Sequence, residues 1–383
     1  MRKKVLATSW HPGGANAIVP VIKRLSDEKT VDVITVGHQY SEKIFEAAGI
    51  NYKKIADYGL QDVSSGSMET LIKAEAPRLV LIGTSTQDEN NKDVIEQTAT
   101  LAAKKQNVLT LAVLDFWGNY SQRFNDIYTD TGEKFKFLPN KIAIMDQYAM
   151  EDMLSEGFDK NRLVITGNPH FDNLESRAKA FTPAEKQGIR DKIGLSAEVI
   201  FFYAASAWEK DAKDFGYWDL DNIQLINEAI NELPGEQKNK VGIAIKLHPR
   251  VPPEDLDAIT KYLNTHSNNQ IKLVSGIGPQ ELALASDLTF TPASTIGIEA
   301  VYMGKPCISL QPGLSGPDFL YILTKNGIIP IGYTKQECKE LVKRAILNEP
   351  YRKQALIEQA SSFRTDGKAT ERVANLVYEL LQS

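Results

Sequence analysis

The feature that most constrains this chain is a set of short runs that are apolar at nearly every residue, each followed by a stretch of helical periodicity. Residues 5–8, 31–36, 79–83, 108–114 and 141–144 form such runs, with helical stretches at about 15–25, 41–48 and 93–105 between them. A strand that is apolar on both faces needs cover on both faces. Alternation with helices supplies that cover only in a doubly wound parallel sheet. The pattern restarts at 199–203 and continues through 242–247, 271–274, 288–290 and 306–310, with a helix at about 221–233. A chain of 383 residues is also too long for one ordinary core. The expectation is α/β with two doubly wound parallel-sheet domains: 1–170, 171–365 joined through a polar helical connector at 175–195, and a C-terminal helix, 366–383, returning to the first.

Composition narrows the classes of function. Hydrophobic residues make up 42% and charged residues 24%, which is neither disordered nor fibrous. The net charge of −5 argues against a general nucleic-acid binder, which needs a basic face. Cys307 and Cys338 match no zinc or redox spacing and read as two reduced thiols. The apolar run after Met1 is too short for a signal peptide, and no run approaches the roughly 20 residues that span a bilayer. The expected location is the cytoplasm, with peripheral association at a membrane-bound acceptor and a homodimer both left open.

In open parallel sheets ligands bind beyond the carboxyl ends of strands, so residues just after the apolar runs are the site candidates. His11, Gly13, Gly14 and Asn16 follow the first run: paired glycines let backbone approach a ligand, and the next helix N-terminus favours an anion. A plain tight turn would look similar. Asp115, ringed by Phe116, Trp117 and Tyr120 after the fourth run, is a candidate general base; pairing with Arg123 is its structural alternative. Lys246, His248 and Arg250 at the end of another run suit a diphosphate. Ser294 and Thr295 begin a helix with Glu299 about one turn inside it, a phosphate site with an acceptor for ribose hydroxyls. Ser206, after the run at 199–203, completes the donor-side set. The segment 210–221, with Phe215, Tyr217 and Trp218, suits base stacking or core packing equally.

Several of these residues carry a resemblance. Thr166-Gly167-Asn168-Pro169 with Asp172 is similar to the segment at the interlobe crossover of GT-B proteins, among them nucleotide-sugar 2-epimerases, and Glu299 to Pro306 resembles their ribose-binding element. His248-Pro249 with Ser294-Thr295 resembles the motifs of bacterial polysialyltransferases, capsule Kdo transferases and CDP-glycerol glycerophosphotransferases. The resemblance implies two Rossmann-like domains of GT-B type facing a cleft, a CMP-, CDP- or UDP-linked donor, and a glycan or lipid-linked acceptor. The implied activity is a transferase that builds a surface glycan or polymer with no metal and no cofactor beyond its nucleotide-sugar substrate. The basic segment that epimerases carry at the start of the second lobe is absent: the loop here reads Ala204-Ala205-Ser206-Ala207-Trp208.

A metal-independent transfer needs a base for the acceptor and donors for the departing charge. Asp115 is the first candidate base and His11 the second. His248, Arg250 and the Ser294–Thr295 helix start are the candidates for the leaving group. A 2-epimerase or hydrolase acting on the donor alone, or a non-catalytic nucleotide-sugar binder, remain as alternatives.

Overall fold

The structure is a computed structural model. It describes residues 2–88, 91–128, 132–206, 215–248, 251–266, 270–316, 318, 324, 326–363 and 365–382. The chain divides into two compact units, Met1–Asn173 with Arg364–Ser383, and Leu174–Phe363.

The first unit runs β1 (Lys4–Ser9), α1 (Pro12–Glu28), β2 (Asp32–Gly37), α2 (Tyr40–Ala47), β3 (Lys53–Lys54), α3 (Ser65–Glu75), β4 (Leu79–Ile82), α4 (Ile95–Lys105), β5 (Leu109–Val113), β6 (Lys141–Ile144), α5 (Gln147–Ser155), β7 (Leu163–Ile165) and the start of α6 (Pro169–Ala180). Its seven strands are parallel in the order β3-β2-β1-β4-β5-β6-β7, so the winding direction reverses between β1 and β4. β4 is buried at all four residues, as a strand covered on both faces must be. One stripe of α1, including Ala15, Ile18, Val21, Ile22 and Leu25, packs on Val5, Ala7 and Leu79. The helix Ala369–Gln382 completes the same core with Val373, Ala374, Leu376, Val377 and Leu381.

The second unit takes the rest of α6, then α7 (Pro183–Ile193), β8 (Val199–Ala204), α8 (Asp219–Asn231), α9 (Gly235–Lys238), β9 (Val241–Lys246), α10 (Pro253–His266), β10 (Ile271–Leu273), α11 (Pro279–Ala285), β11 (Leu288–Thr291), α12 (Thr295–Tyr302), β12 (Cys307–Leu310) and β13 (Ile331–Gly332). Helices Lys335–Leu347 and Glu349–Ser362 follow. Six parallel strands lie in the order β10-β9-β8-β11-β12-β13, reversing between β8 and β11. Phe201, Tyr203, Ile243, Ile245, Phe290 and Ile308 form the floor of its core. The polar connector at 175–195 is two helices, α6 and α7, the second opened by a reciprocal Thr182–Glu185 capping box and closed by Gly194 in the left-handed region, φ 69°.

One local expectation changes. The pair Gly13-Gly14 is not a loop: α1 starts at Pro12, with His11 as its N-cap residue, so both glycines lie in the first helical turn. Proline fits there because its missing N–H would have no intrahelical partner. The glycines answer a packing demand. A Cβ at Gly14 would sit 2.8 Å from both Ser9 Oγ and the Thr84 backbone nitrogen, and one at Gly13 would sit 1.9 Å from Asp115 Oδ2.

Candidate functional site

Each unit gathers polar side chains at its own reversal point, where the strand ends splay and helix N-termini converge. In the second unit a cavity of about 720 Å³ opens beyond β8, β9 and β11. The ends of β8 and β9 contribute Ala204, Ala205, Lys246, Leu247 and His248, α11 contributes Gln280 and Glu281, and α12 contributes Ser294, Thr295, Ile296 and Glu299. Ser294 is the N-cap of α12, accepting from the Ile296 N–H at 3.5 Å. Thr295 is exposed. Gly297 seats the helix close to the sheet, since a Cβ there would meet Cys307 Sγ at 2.6 Å.

Glu299 faces this cavity and accepts from Gln280 Nε2 at 2.8 Å. Burial raises its pKa, and the Gln280 bond opposes that shift. His248 lines the cavity half-buried; Arg250 and Pro249 lie outside the described residues. Ser206 is buried behind the cavity rather than lining it. Its Oγ accepts from the Ala293 N–H at 3.0 Å, and its own N–H bonds to Asp219. Ser206 therefore ties the loop after β8 to the loop that starts α12. Burial also pushes Asp219 up to about 7, against a hydrogen bond from the Tyr203 hydroxyl at 2.7 Å. In the segment 210–221, Tyr217 is buried and Trp218 packs on the core cluster, while 207–214 lie outside the described residues.

In the first unit Asp115 lies after β5 with its Oδ1 bound to Arg123 Nη1 at 2.5 Å and to Thr84 Oγ1 at 2.9 Å. The structural alternative foreseen for Asp115, pairing with Arg123, is thus realised. Asp115 Oδ2 lies against Gly13 in the first turn of α1, where a helix favours negative charge. His11 is half-buried, its ring 3.9 Å from that of Trp10 and 6.2 Å from that of Tyr40. Burial lowers the His11 pKa below 6.5; Asp115 and Asp88 pull it up, and Arg123 pushes it further down. His11, Gly13 and Asp115 therefore meet at one place, while Asn16 lies half-buried one turn further along α1.

The crossover motif has a structural role in this unit. Asn168 Nδ2 donates to the Asp115 backbone oxygen at 2.8 Å, which fixes the segment after β5. Asp172 receives the Ala369 and Thr370 N–H groups at 3.0 and 2.6 Å and so caps the C-terminal helix. Trp117, beside Asp115, donates to Asp146, the N-cap of α5. Asp146 is raised to about 6, chiefly by burial.

Sequence reasoning missed Arg177, Gln280 and Glu281 in the second unit, and Thr84, Ser85 and Glu96 in the first. The rule of looking after strands reaches Thr84 and Ser85, which follow β4, and Gln280, which follows β10 through Gly278-Pro279. Glu96 sits inside a helical stretch and carries no such signal. Among the described residues, no group of three His, Cys, Asp or Glu side chains is placed to hold a metal ion, and no helix is long and apolar enough to cross a membrane.

Comparison with known proteins bears on both units. A 2-epimerase acting on UDP-2,3-diacetamido-2,3-dideoxy-D-glucuronate from Pseudomonas aeruginosa is 22% identical over 382 residues, covering 94% of this chain and 95% of that protein. The UDP-GlcNAc 2-epimerase of Neisseria meningitidis, solved with UDP-GlcNAc, superposes with a TM-score of 0.71 at 16% identity over 98% of this chain and 100% of that one. MnaA of S. aureus, solved with UDP, gives 0.67 at 19% identity over 99% and 97%. These likenesses establish the α/β fold of GT-B type with two parallel sheets. Residues 143–379, more than half of the chain, match the family described as CDP-glycerol:poly(glycerophosphate) glycerophosphotransferase. The chain belongs to that family.

Proposed function

We propose that this family member is a transferase that holds a nucleotide-activated donor in the cavity of its second unit and passes the activated group to a hydroxyl acceptor of a glycan or lipid-linked polymer. The observation that carries this reading is the cavity at the β8/β11 reversal, where the α12 N-terminus and the Glu299 carboxylate face one space of about 720 Å³. A helix N-terminus suits the phosphates, and a half-buried carboxylate facing the cavity suits the paired hydroxyls of ribose. UDP and UDP-GlcNAc, bound in the solved relatives, are of this class, as is the CDP-glycerol for which the family is named.

In the transfer, the acceptor oxygen bonds to the donor's anomeric carbon, or to phosphorus in a CDP-glycerol-type donor, and the bond to the nucleotide phosphate breaks. His248 and the α12 N-terminus stabilise the departing charge. We assign the acceptor proton to His11 of the first unit, whose burial favours the neutral form that can take it. Asp115 Oδ1 is occupied by Arg123 and Thr84, so we assign Asp115 to stabilising the imidazolium rather than to taking the proton.

The test is a thermal-shift panel of UDP, CDP, CMP and GDP on the wild type, His248→Ala and Glu299→Ala. A bound ligand raises the melting temperature by mass action, about 2.7 kcal/mol at 100 times Kd. A selective shift that weakens in both variants supports the donor site, and no shift with any nucleotide sinks it. The whole-chain likeness to a 2-epimerase favours a second reading, epimerisation or hydrolysis of the donor alone. Product formed from a nucleotide-sugar with no acceptor present selects that reading.

A further inference from the structure

Glu96 is an acid in the first turn of α4, and its side chain is only 2% exposed. Its Oε1 accepts three hydrogen bonds: from Ser9 Oγ at 3.0 Å, from the Trp10 N–H at 2.9 Å and from Ser85 Oγ at 2.7 Å. Ser85 Oγ in turn accepts the His11 N–H at 3.3 Å. One carboxyl oxygen therefore holds three consecutive residues, Ser9 and Trp10 directly and His11 through a buried hydroxyl. Oε2 has no hydrogen-bond partner among the described residues.

An unpaired oxygen on a buried ionised carboxylate would carry a heavy desolvation cost. A neutral carboxylic acid lowers this cost, because no charge is then buried: Oε2 carries the proton, and Oε1 remains the carbonyl that accepts all three bonds. Burial pushes Glu96 in that direction, against hydrogen bonds from Ser85, the Trp10 N–H, its own backbone N–H and Ser9. The space around the turn is tight as well, since a Cβ at Gly83 would sit 2.4 Å from Ser9 Oγ. On the far side of the turn, Trp10 Nε1 donates at 2.8 Å to Gln39, a non-glycine residue held at φ 52°.

We propose that Glu96 is a positioning residue, a buried neutral acceptor that fixes the turn from β1 into α1 and thereby sets the orientation and environment of the His11 ring. The proposal rests on His11 as the proton acceptor for its link to turnover, but its structural content stands apart from that reading. The charged and titratable groups facing His11 are Asp115 after β5, Asp88 in the segment before α4, Arg123 and, at ring distance, Tyr40 of α2. None of them is altered by substitution at Glu96. Releasing the turn admits water to His11 and weakens the burial that depresses its pKa.

The experiment is histidine-selective NMR on the full chain, which has five histidines, with the His11 ring signal assigned from its loss in His11→Gln. In the wild type His11 titrates below its ordinary midpoint of ~6.5. Glu96→Gln keeps a neutral side chain with a carbonyl at Oε1 and leaves that midpoint in place. Glu96→Ala moves it up toward ~6.5 and reduces the ring-current shift from Trp10. If the alanine variant does not fold, Ser85→Ala cuts the link to the His11 N–H and shifts the midpoint in the same direction. An unchanged His11 signal in the variant that folds overturns the proposal, and so does a glutamine variant that behaves like alanine. In the activity arm, acceptor-dependent turnover of Glu96→Ala falls with its acid limb moved to higher pH, while nucleotide affinity of the second unit is unchanged. If the wild type shows no turnover with any donor, the transferase reading fails and the His11 titration still decides the role of Glu96.

Discussion

Gly13→Ala is the substitution whose outcome tests the first-unit site most directly, because general rules and local geometry give opposite signs. Alanine in place of a helical glycine ordinarily stabilises by about 0.5–1 kcal/mol. Here the new Cβ would lie 1.9 Å from Asp115 Oδ2, so the carboxylate must move. Asp115 is not free to yield, because Arg123 and Thr84 hold its other oxygen at 2.5 and 2.9 Å. The Asp115 and Arg123 side chains are 16% and 10% exposed, so water screens little of their interaction. Hydrogen bonds to charged groups contribute about 1.5–3 kcal/mol each. Rotation of the carboxylate preserves part of that, and the helix gain offsets a little more. The net expectation is a destabilisation of about 1–3 kcal/mol, or a fall in Tm of roughly 2–4 °C per kcal/mol for a unit of this size. The assay is thermal unfolding of Gly13→Ala, Asp115→Ala and the double variant. On the Asp115→Ala background the clash is gone and the same substitution should become stabilising. If Gly13→Ala costs as much with Asp115 removed as with it present, the reasoning is refuted.

Two further outcomes follow from the second unit. Folded Asp219 titrates near 7, above the ordinary carboxylate range, so the folded state binds the extra proton. Its contribution to stability is therefore full below about pH 4 and is lost as pH rises through about 7. Unfolding by denaturant across that window should show the wild type losing stability relative to Asp219→Asn as pH rises, and parallel curves would contradict it. Cys307 and Cys338 are buried, and burial pushes both thiols up to about 12. A thiol reagent at pH 8 should therefore label neither in the native protein and both after denaturation; rapid labelling of the native chain would show the burial is wrong.

The two parallel sheets were legible because interior parallel strands must be apolar on both faces, and runs such as 79–82 and 199–203 are short, fully apolar and alternate with helical stretches. The start of α1 was not. Proline followed by two glycines reads as a turn, and only the approach of Asp115 and Thr84 explains why glycine occupies a helix there. Asp115, His11 and Glu299 were visible because each follows a strand or opens a helix at a strand end. Glu96 was invisible for the opposite reason. In Ile95-Glu96-Gln97-Thr98 an acid in the first turn of a helix looks like ordinary dipole matching on a solvated face. Its burial arises from Ser9, Trp10 and Ser85, two of them more than eighty residues away in sequence. The Arg177, Gln280 and Glu281 wall of the cavity is likewise assembled by tertiary packing.

The docking of helix Ala369–Gln382 onto α1, capped by Asp172, has a consequence for how the protein is made. The apolar stripe of Ile18, Val21 and Leu25 leaves the ribosome before the second unit, yet the helix that covers it is synthesised only after that unit. The whole of the second unit is translated between them. At about 5–20 residues per second, that interval is roughly 10–40 s. During it the first unit carries an uncovered hydrophobic surface, a natural client for a chaperone. The second unit, whose sequence is continuous, can finish folding before the unit that began first.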